Sequence, residues 1–172
     1  MIEFMVLSAP RSGSTWAATW LTGDRSLCLH DPTLEMRPEE LEKLECDRRL
    51  GIADTALVLI PEFVNANPCP KVILHRPIAE VNASLERIGL TKVPDHTKDL
   101  LTKVNGMHLP WTSLFNPTTA DAIHRHLLGR PMDRRRHDEL VRTQINPRFD
   151  RLPINIDIVH EFRRRIEMGL RA

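Results

Sequence analysis

The stretch IEFMVLSAPRSGSTWAATWL, residues 2–21, decides the fold class. Ile2–Ser8 is a short apolar run that ends at Ala-Pro, which is typical of a buried strand. From Thr15 to Leu21 the large apolar residues recur on one helical face, and Gly23 follows as the expected end of a helix. The chain is therefore expected to open with a strand, a loop and a helix.

The loop between these two elements has the composition of an anion-binding site. It supplies hydroxyls from Ser12, Ser14 and Thr15, and a fixed positive charge from Arg11. A helix that follows such a loop directs its first N–H groups and its dipole towards the same point. We expect a phosphate or sulfate there; the alternative is a turn with ordinary hydroxyl capping.

This loop does not match the nucleotide-binding pattern G-x-x-x-x-G-K-[ST]. Ser14 stands where the lysine belongs, directly after Gly13, and the positive charge precedes the glycine at Arg11. Glu62 is the one weak candidate for the magnesium-binding carboxylate at the end of a neighbouring strand. ATP or GTP hydrolysis is therefore disfavoured.

The remaining chain alternates apolar runs with helical patterns. Thr55–Ile60 and Lys71–His75 are predicted to be buried strands, and Pro38–Leu50 and Pro77–Ile88 are predicted to be helices. Further helices are expected over 99–104, 119–128 (capped by Thr118 or Thr119), 133–145 and 155–168. The pattern predicts one α/β domain over residues 1–172, a three-layer sandwich with a short, mostly parallel sheet and a helix-rich C-terminal half.

A second motif lies in VILHRPIAEVNASL, residues 72–85. Arg76 closes the third apolar run, and Ser84 lies eight residues later, inside the following helix. An arginine at a strand end can bind a phosphate with its forked guanidinium, and a helix serine facing the same way can add a hydroxyl. Alone, the pair is better explained as a strand-end arginine and a solvent-facing serine.

Together the two motifs carry a family resemblance. APRSGSTW, residues 9–16, resembles the 5′-phosphosulfate-binding loop of sulfotransferases that use 3′-phosphoadenosine 5′-phosphosulfate (PAPS), and Arg76 with Ser84 resembles their 3′-phosphate site. The strong match covers about residues 3–23 and 70–90. The chain is shorter than most members and looks like the compact sulfotransferase-like proteins of phage and bacterial sequences, whose acceptor the family does not imply.

The resemblance implies roles for individual residues. Arg11 would contact the sulfuryl and 5′-phosphate oxygens, and Ser12, Gly13, Ser14 and Thr15 would donate to the 5′-phosphate. Trp16 would lie near the adenine, with core packing as the alternative, whereas Trp20 is assigned to the core. In the basic cluster Arg134–Arg136, Arg134 and Arg135 could close the 3′-phosphate site or form a solvated helix face.

Sulfuryl transfer of this kind needs no metal, but it needs a base for the acceptor's proton. The resemblance places that base just after the first helix, where His30 and Asp31 are the first candidates and Glu35 is another. His108, in GMHLPW, is a further candidate, but it follows the 3′-phosphate motif instead of preceding it.

Composition excludes several other classes. The formal net charge is +1 with few aromatic residues, so nucleic acid is not an expected partner. Three scattered cysteines indicate a reducing, cytoplasmic setting and offer no metal site, and no apolar run predicts a membrane span.

Two rival functions stay open: a nucleotide or nucleoside kinase-like enzyme, and a non-catalytic nucleotide-binding or assembly protein. The acceptor, a hydroxyl or an amine, would be bound in a small open site or in one completed by a homo-oligomer.

Overall fold

The computed structural model describes residues 1–143, which build one five-stranded sheet covered on both faces by helices. The strands are β1 (Phe4–Ser8), β2 (Ser26–His30), β3 (Arg49–Asp54), β4 (Lys71–His75) and β5 (Met107–Pro110). The helices are α1 (Ser14–Leu21), α2 (Pro38–Leu41), α3 (Pro61–Ala66), α4 (Ile78–Glu86), α5 (Thr97–Thr102), α6 (Pro117–Leu128) and α7 (Arg134–Arg142). Short 3₁₀ turns span Pro32–Leu34, Leu57–Leu59 and Trp111–Phe115.

The sheet has the order β2-β3-β1-β4-β5, and all four pairings are parallel. The carboxyl ends of the strands therefore meet at one edge. The chain adds β2 and β3 on one side of β1 and then crosses to add β4 on the other side. This change of direction opens a crevice beside the carboxyl end of β1, the usual place for a ligand in an open α/β sheet.

Two apolar cores make the molecule a three-layer sandwich, as the sequence predicts. One core packs α1 and α6 against the face of the sheet that carries Phe4, Val6 and Leu74. The other packs the 3₁₀ turn Leu57–Leu59 with α3, α4 and α5 against the opposite face. Among residues 1–143, no helix is long and apolar enough to cross a bilayer.

The predicted helix over Pro38–Leu50 is wrong beyond its first four residues. The helix α2 ends at Leu41, and the chain is extended again from Arg49 as β3. Gly51 lies within β3, where a Cβ would overlap the ring of Phe4 on the adjacent strand. The glycine is needed for close packing, a cause that the local pattern did not indicate.

The predicted strand Thr55–Ile60 is also wrong, because the strand lies just before it. β3 ends at Asp54, whose carboxylate accepts hydrogen bonds from the backbone N–H groups of Ala56 and Leu57 at 2.7 and 2.8 Å. These bonds turn the chain into the 3₁₀ turn Leu57–Leu59. Leu57 and Val58 are still buried, so the apolar run correctly marks core residues in the wrong conformation.

The other predicted elements agree within a few residues, with two strands added. β1, α1, β4 and α4 lie where the sequence placed them, but the side chain of Asn116 caps α6, not Thr118 or Thr119. The pattern missed β2 and β5, which form the two edges of the sheet and are only partly buried. The predicted helix 155–168 lies outside the described residues.

Candidate functional site

The loop after β1 has an unusual backbone. Arg11 and Gly13 both have positive φ angles, of 63° and 94°. Gly13 is the N-cap of α1, and no side chain caps the helix there, so its first-turn N–H groups face the loop without a side-chain acceptor. Such a conformation directs several N–H groups to one point, which suits an anion.

Gly13 also lies against Leu114, whose Cδ1 would be 2.8 Å from an added Cβ. We expect Gly13→Ala to lower the free energy of unfolding by about 1–3 kcal/mol, because alanine is strained at this φ and would press on a buried leucine. Gly23→Ala is the matched control, since nothing lies within 4 Å of a Cβ there. Urea unfolding of both variants tests this; equal stabilities would contradict it.

The two sequence motifs meet in space. Arg11 Nε donates to Ser84 Oγ at 3.3 Å, and Arg76 Nη1 donates to the carbonyl oxygen of Arg11 at 2.6 Å. Ser84 is buried, so its hydroxyl faces the arginines and not solvent. Residues 73 positions apart thus share one hydrogen-bonded cluster between the ends of β1 and β4.

This cluster concentrates positive charge. Burial lowers the pKa of Arg11, and the neighbouring Arg76 and Arg87 lower it further. A cavity of about 430 Å³ opens beside the cluster, and it is lined by two arginines, Arg76 and Arg87, and two carboxylates, Glu80 and Glu86. Glu80 Oε2 lies 3.2 Å from Arg76 Nε and offsets only part of the charge. An anion bound here would relieve the repulsion among three arginines.

A second polar cluster lies on the other side of the loop, at the end of β2. His30 Nε2 lies 3.2 Å from Ser14 Oγ, 3.0 Å from Thr15 Oγ1 and 3.1 Å from Asp31 Oδ2. Asp31 is fixed because its Oδ1 accepts a hydrogen bond from Thr55 N at 2.8 Å. Both predicted base candidates therefore lie beside the loop hydroxyls.

The arrangement differs from a Ser-His-Asp triad. A triad places the hydroxyl and the carboxylate on opposite ring nitrogens, whereas here both contact Nε2 of His30. One hydrogen can lie between Nε2 and the Asp31 carboxylate. Burial raises the pKa of Asp31 and nearby Asp54 raises it further, while His30 lowers it. His30 and Asp31 therefore form a hydrogen-bonded pair, and not a relay to Ser14.

Asp54 is a carboxylate that the sequence interpretation missed, because the strand was predicted just after it, at Thr55–Ile60, and not over β3. It lies at the end of β3, next to β1, where a nucleotide hydrolase would hold magnesium. Here it is fully buried and accepts from Thr33 Oγ1 at 2.6 Å as well as from the Ala56 and Leu57 amides. Its oxygens are thus used to shape two turns. Within residues 1–143, no cluster of three or more His, Cys, Asp or Glu side chains could hold a metal ion.

Two loop assignments need correction. Trp16 is only 5% exposed and packs in the core, where its indole N–H points to the Leu140 carbonyl oxygen at 3.4 Å. It is not available to an adenine, so the core alternative holds. Ser12 Oγ donates to the Pro10 carbonyl at 3.3 Å, so this hydroxyl stabilises the loop itself instead of facing a ligand.

Arg134 and Arg135 lie away from the loop. Their neighbour Arg136 donates to the carbonyl oxygens of Thr19 and Thr22, so the start of α7 sits at the C-terminal end of α1. The loop is at the opposite end of that helix. Arg134 and Arg135 form i,i+4 ion pairs with Asp138 and Glu139, which makes them the solvated helix face of the alternative interpretation.

The remaining base candidates lie elsewhere. Glu35 is exposed just after the turn Pro32–Leu34. His108 is on β5, where its Nδ1 lies 2.8 Å from His75 Nε2 and its Nε2 lies 2.8 Å from the Val104 carbonyl oxygen. Since that carbonyl can only accept, Nε2–H of His108 donates, and Nδ1 accepts from His75. His108 thus links β4, β5 and the end of α5.

Two further residues of the cluster were not predicted. Arg87 lies one turn beyond Ser84, and Trp111, at the end of β5, stacks on Arg76. Spacing within one motif could not reveal either contact, because each depends on how separate elements pack.

Comparisons with protein-family models, with curated proteins and with solved structures found no significant match to this chain.

Proposed function

We propose that this chain binds PAPS, or its product adenosine 3′,5′-bisphosphate, and transfers the sulfuryl group to a hydroxyl or amine of an acceptor. The observation that carries the proposal is the meeting of Arg11, Arg76 and Ser84 at the ends of two adjacent strands. A nucleotide with phosphates at both ends of its ribose needs two anion sites a ribose apart. The α1 loop and the Arg76–Ser84 cluster would provide two neighbouring sites of this kind.

The 5′-phosphosulfate is assigned to the loop. The first N–H groups of α1, the hydroxyls of Ser14 and Thr15, and Arg11 would bind its oxygens. The 3′-phosphate is assigned to Arg76 and Ser84, and Arg87 lines the cavity beside Arg76. In this arrangement each phosphate is bound by at least one arginine.

The transfer step follows from the position of the His30–Asp31 pair beside Ser14 and Thr15. The acceptor oxygen or nitrogen gives its proton to this pair as it attacks sulfur. The sulfur–oxygen bond to the 5′-phosphate breaks, and adenosine 3′,5′-bisphosphate leaves with the electron pair. Arg11 stabilises the charge that develops on the departing phosphate oxygen. This step is balanced without a metal.

The kinase-like alternative has one feature in its favour, the carboxylate of Asp54 at the end of β3. Its oxygens already accept hydrogen bonds from the turn amides and from Thr33. The loop also lacks the lysine that would bridge β- and γ-phosphates. We therefore favour the bisphosphate nucleotide.

A thermal-shift panel with adenosine 3′,5′-bisphosphate, adenosine 5′-monophosphate and ATP with magnesium tests the proposal. At one hundred times its Kd, a ligand stabilises a protein by about 2.7 kcal/mol, which corresponds to roughly 5–10 °C for a chain of this size. We expect that shift with the bisphosphate and a smaller one with the monophosphate. A larger shift with ATP and magnesium would favour the kinase-like function, and no shift with any nucleotide would refute both.

A further inference from the structure

The indole of Trp111 lies beside Arg76 at the carboxyl end of the sheet. We propose that Trp111 is a positioning residue, which holds the Arg76 guanidinium ready for a phosphate and so sets the affinity for the 3′-phosphate. This inference rests on the proposed nucleotide site. It assigns a binding role to a residue outside both sequence motifs.

The guanidinium of Arg76 is fixed on three sides. Its central carbon lies 4.5 Å from the ring centroid of Trp111, its Nε bonds to Glu80, and its Nη1 donates to the Arg11 carbonyl. A cation over an indole face is attracted by the electrons of the ring. The two hydrogen bonds engage two of the five N–H groups, so three are left for a phosphate.

Trp111 is itself held in place. It stacks edge to face on Phe115 with a centroid distance of 5.4 Å, within the 3₁₀ turn Trp111–Phe115. His137 Nε2 donates to the carbonyl oxygen of Leu114 in that turn at 2.9 Å. The side chain of Leu114 also abuts Gly13 of the loop. One short turn therefore supports both proposed phosphate sites.

Positioning matters here because the arginines repel one another. Burial lowers the pKa of Arg11, and the nearby charges of Arg76 and Arg87 lower it further. Without a neighbouring surface, Arg76 would gain by swinging into solvent when no anion is bound. The indole face opposes that movement. Preorganising the guanidinium in this way increases affinity, since less freedom is lost on binding.

The test measures Kd by calorimetry for adenosine 3′,5′-bisphosphate and for adenosine 5′-monophosphate. We expect Trp111→Leu to raise the Kd of the bisphosphate by about 3- to 30-fold, the range given by a lost cation–π contact. The Kd of the monophosphate, which lacks the 3′-phosphate, should change by less than about twofold. Trp111→Phe keeps an aromatic face and should restore most of the affinity.

Phe63→Leu is the matched control, a partly buried aromatic residue in the other core, and should leave both Kd values unchanged. Equal weakening of both nucleotides by Trp111→Leu would indicate a general structural defect and overturn the inference. An unchanged bisphosphate Kd in Trp111→Leu would overturn it as well. So would a Trp111→Phe variant that binds the bisphosphate as weakly as Trp111→Leu does.

A ligand-free measurement separates this inference from the proposed function. Trp16 and Trp20 are buried, so a change at the surface of the cluster should alter mainly the emission of Trp111. Arg76→Ala should shift tryptophan emission in the wild-type background and not in Trp111→Phe. If wild-type protein bound no bisphosphate, the proposed function would fail. The emission comparison would then still show whether Trp111 holds Arg76, and an unchanged emission would contradict even that contact.

Discussion

Replacing Arg76 with alanine is expected to weaken the binding of adenosine 3′,5′-bisphosphate by about 10- to 150-fold, the effect of losing a charge-assisted hydrogen bond. The variant loses the guanidinium that would bind the 3′-phosphate, and also the bond that supports the Arg11 carbonyl. Arg76→Lys should fall between the wild type and alanine, because an ammonium keeps the charge but not the fork. Calorimetric titration gives each Kd.

Arg134→Ala is the matched control for this prediction. Like Arg76, Arg134 forms an i,i+4 ion pair with a carboxylate, but it lies towards the other end of α1. Its removal should leave the bisphosphate Kd within about twofold, since it is a surface change away from the site. A bisphosphate Kd unaffected by Arg76→Ala would contradict the assignment of the 3′-phosphate.

The second large effect is expected at His30. Removing a positioned general base typically slows a reaction by about 10²- to 10⁴-fold. His30→Ala should therefore reduce sulfuryl transfer from PAPS by that factor, while the bisphosphate Kd stays within about threefold of wild type. The reaction is followed as release of adenosine 3′,5′-bisphosphate from PAPS with phenols, sugar alcohols and amines as acceptors.

His96→Ala is the control for His30, since it removes an exposed histidine at the start of α5. It should transfer sulfate at the wild-type rate. Transfer by His30→Ala within a few fold of wild type would show that another group accepts the proton. Bisphosphate binding by the wild type without transfer to any acceptor would support the non-catalytic alternative.

Much of the fold was predictable because its central elements have strong local patterns. The strands β1 and β4 are short apolar runs, and the helices α1 and α4 show clear helical periodicity. The two sequence motifs begin where these strands end. β3 was not predictable in this way. Its sequence RLGIAD follows a charged segment and contains a glycine, which is required only because Phe4 packs against it from the neighbouring strand.

The site was predictable to a similar degree. The sequence named Arg11, Arg76, Ser84, His30 and Asp31, and the fold brings these residues to one edge of the sheet. It could not place Trp16 in the core or Trp111 at the cluster, because only the packing of separate elements decides either position. For Arg134 and Arg135 the sequence left a phosphate contact and a solvated helix face both open for the same reason: a basic cluster carries no information on which end of a neighbouring helix it contacts.

The most direct test of the central claim is a crystal structure of the protein grown with adenosine 3′,5′-bisphosphate. We expect density for the 5′-phosphate at the first turn of α1 and for the 3′-phosphate between Arg76 and Ser84. The ribose should span the end of β1 between them. A nucleotide whose phosphates lie elsewhere, or a metal-bound nucleotide at Asp54, would contradict the account.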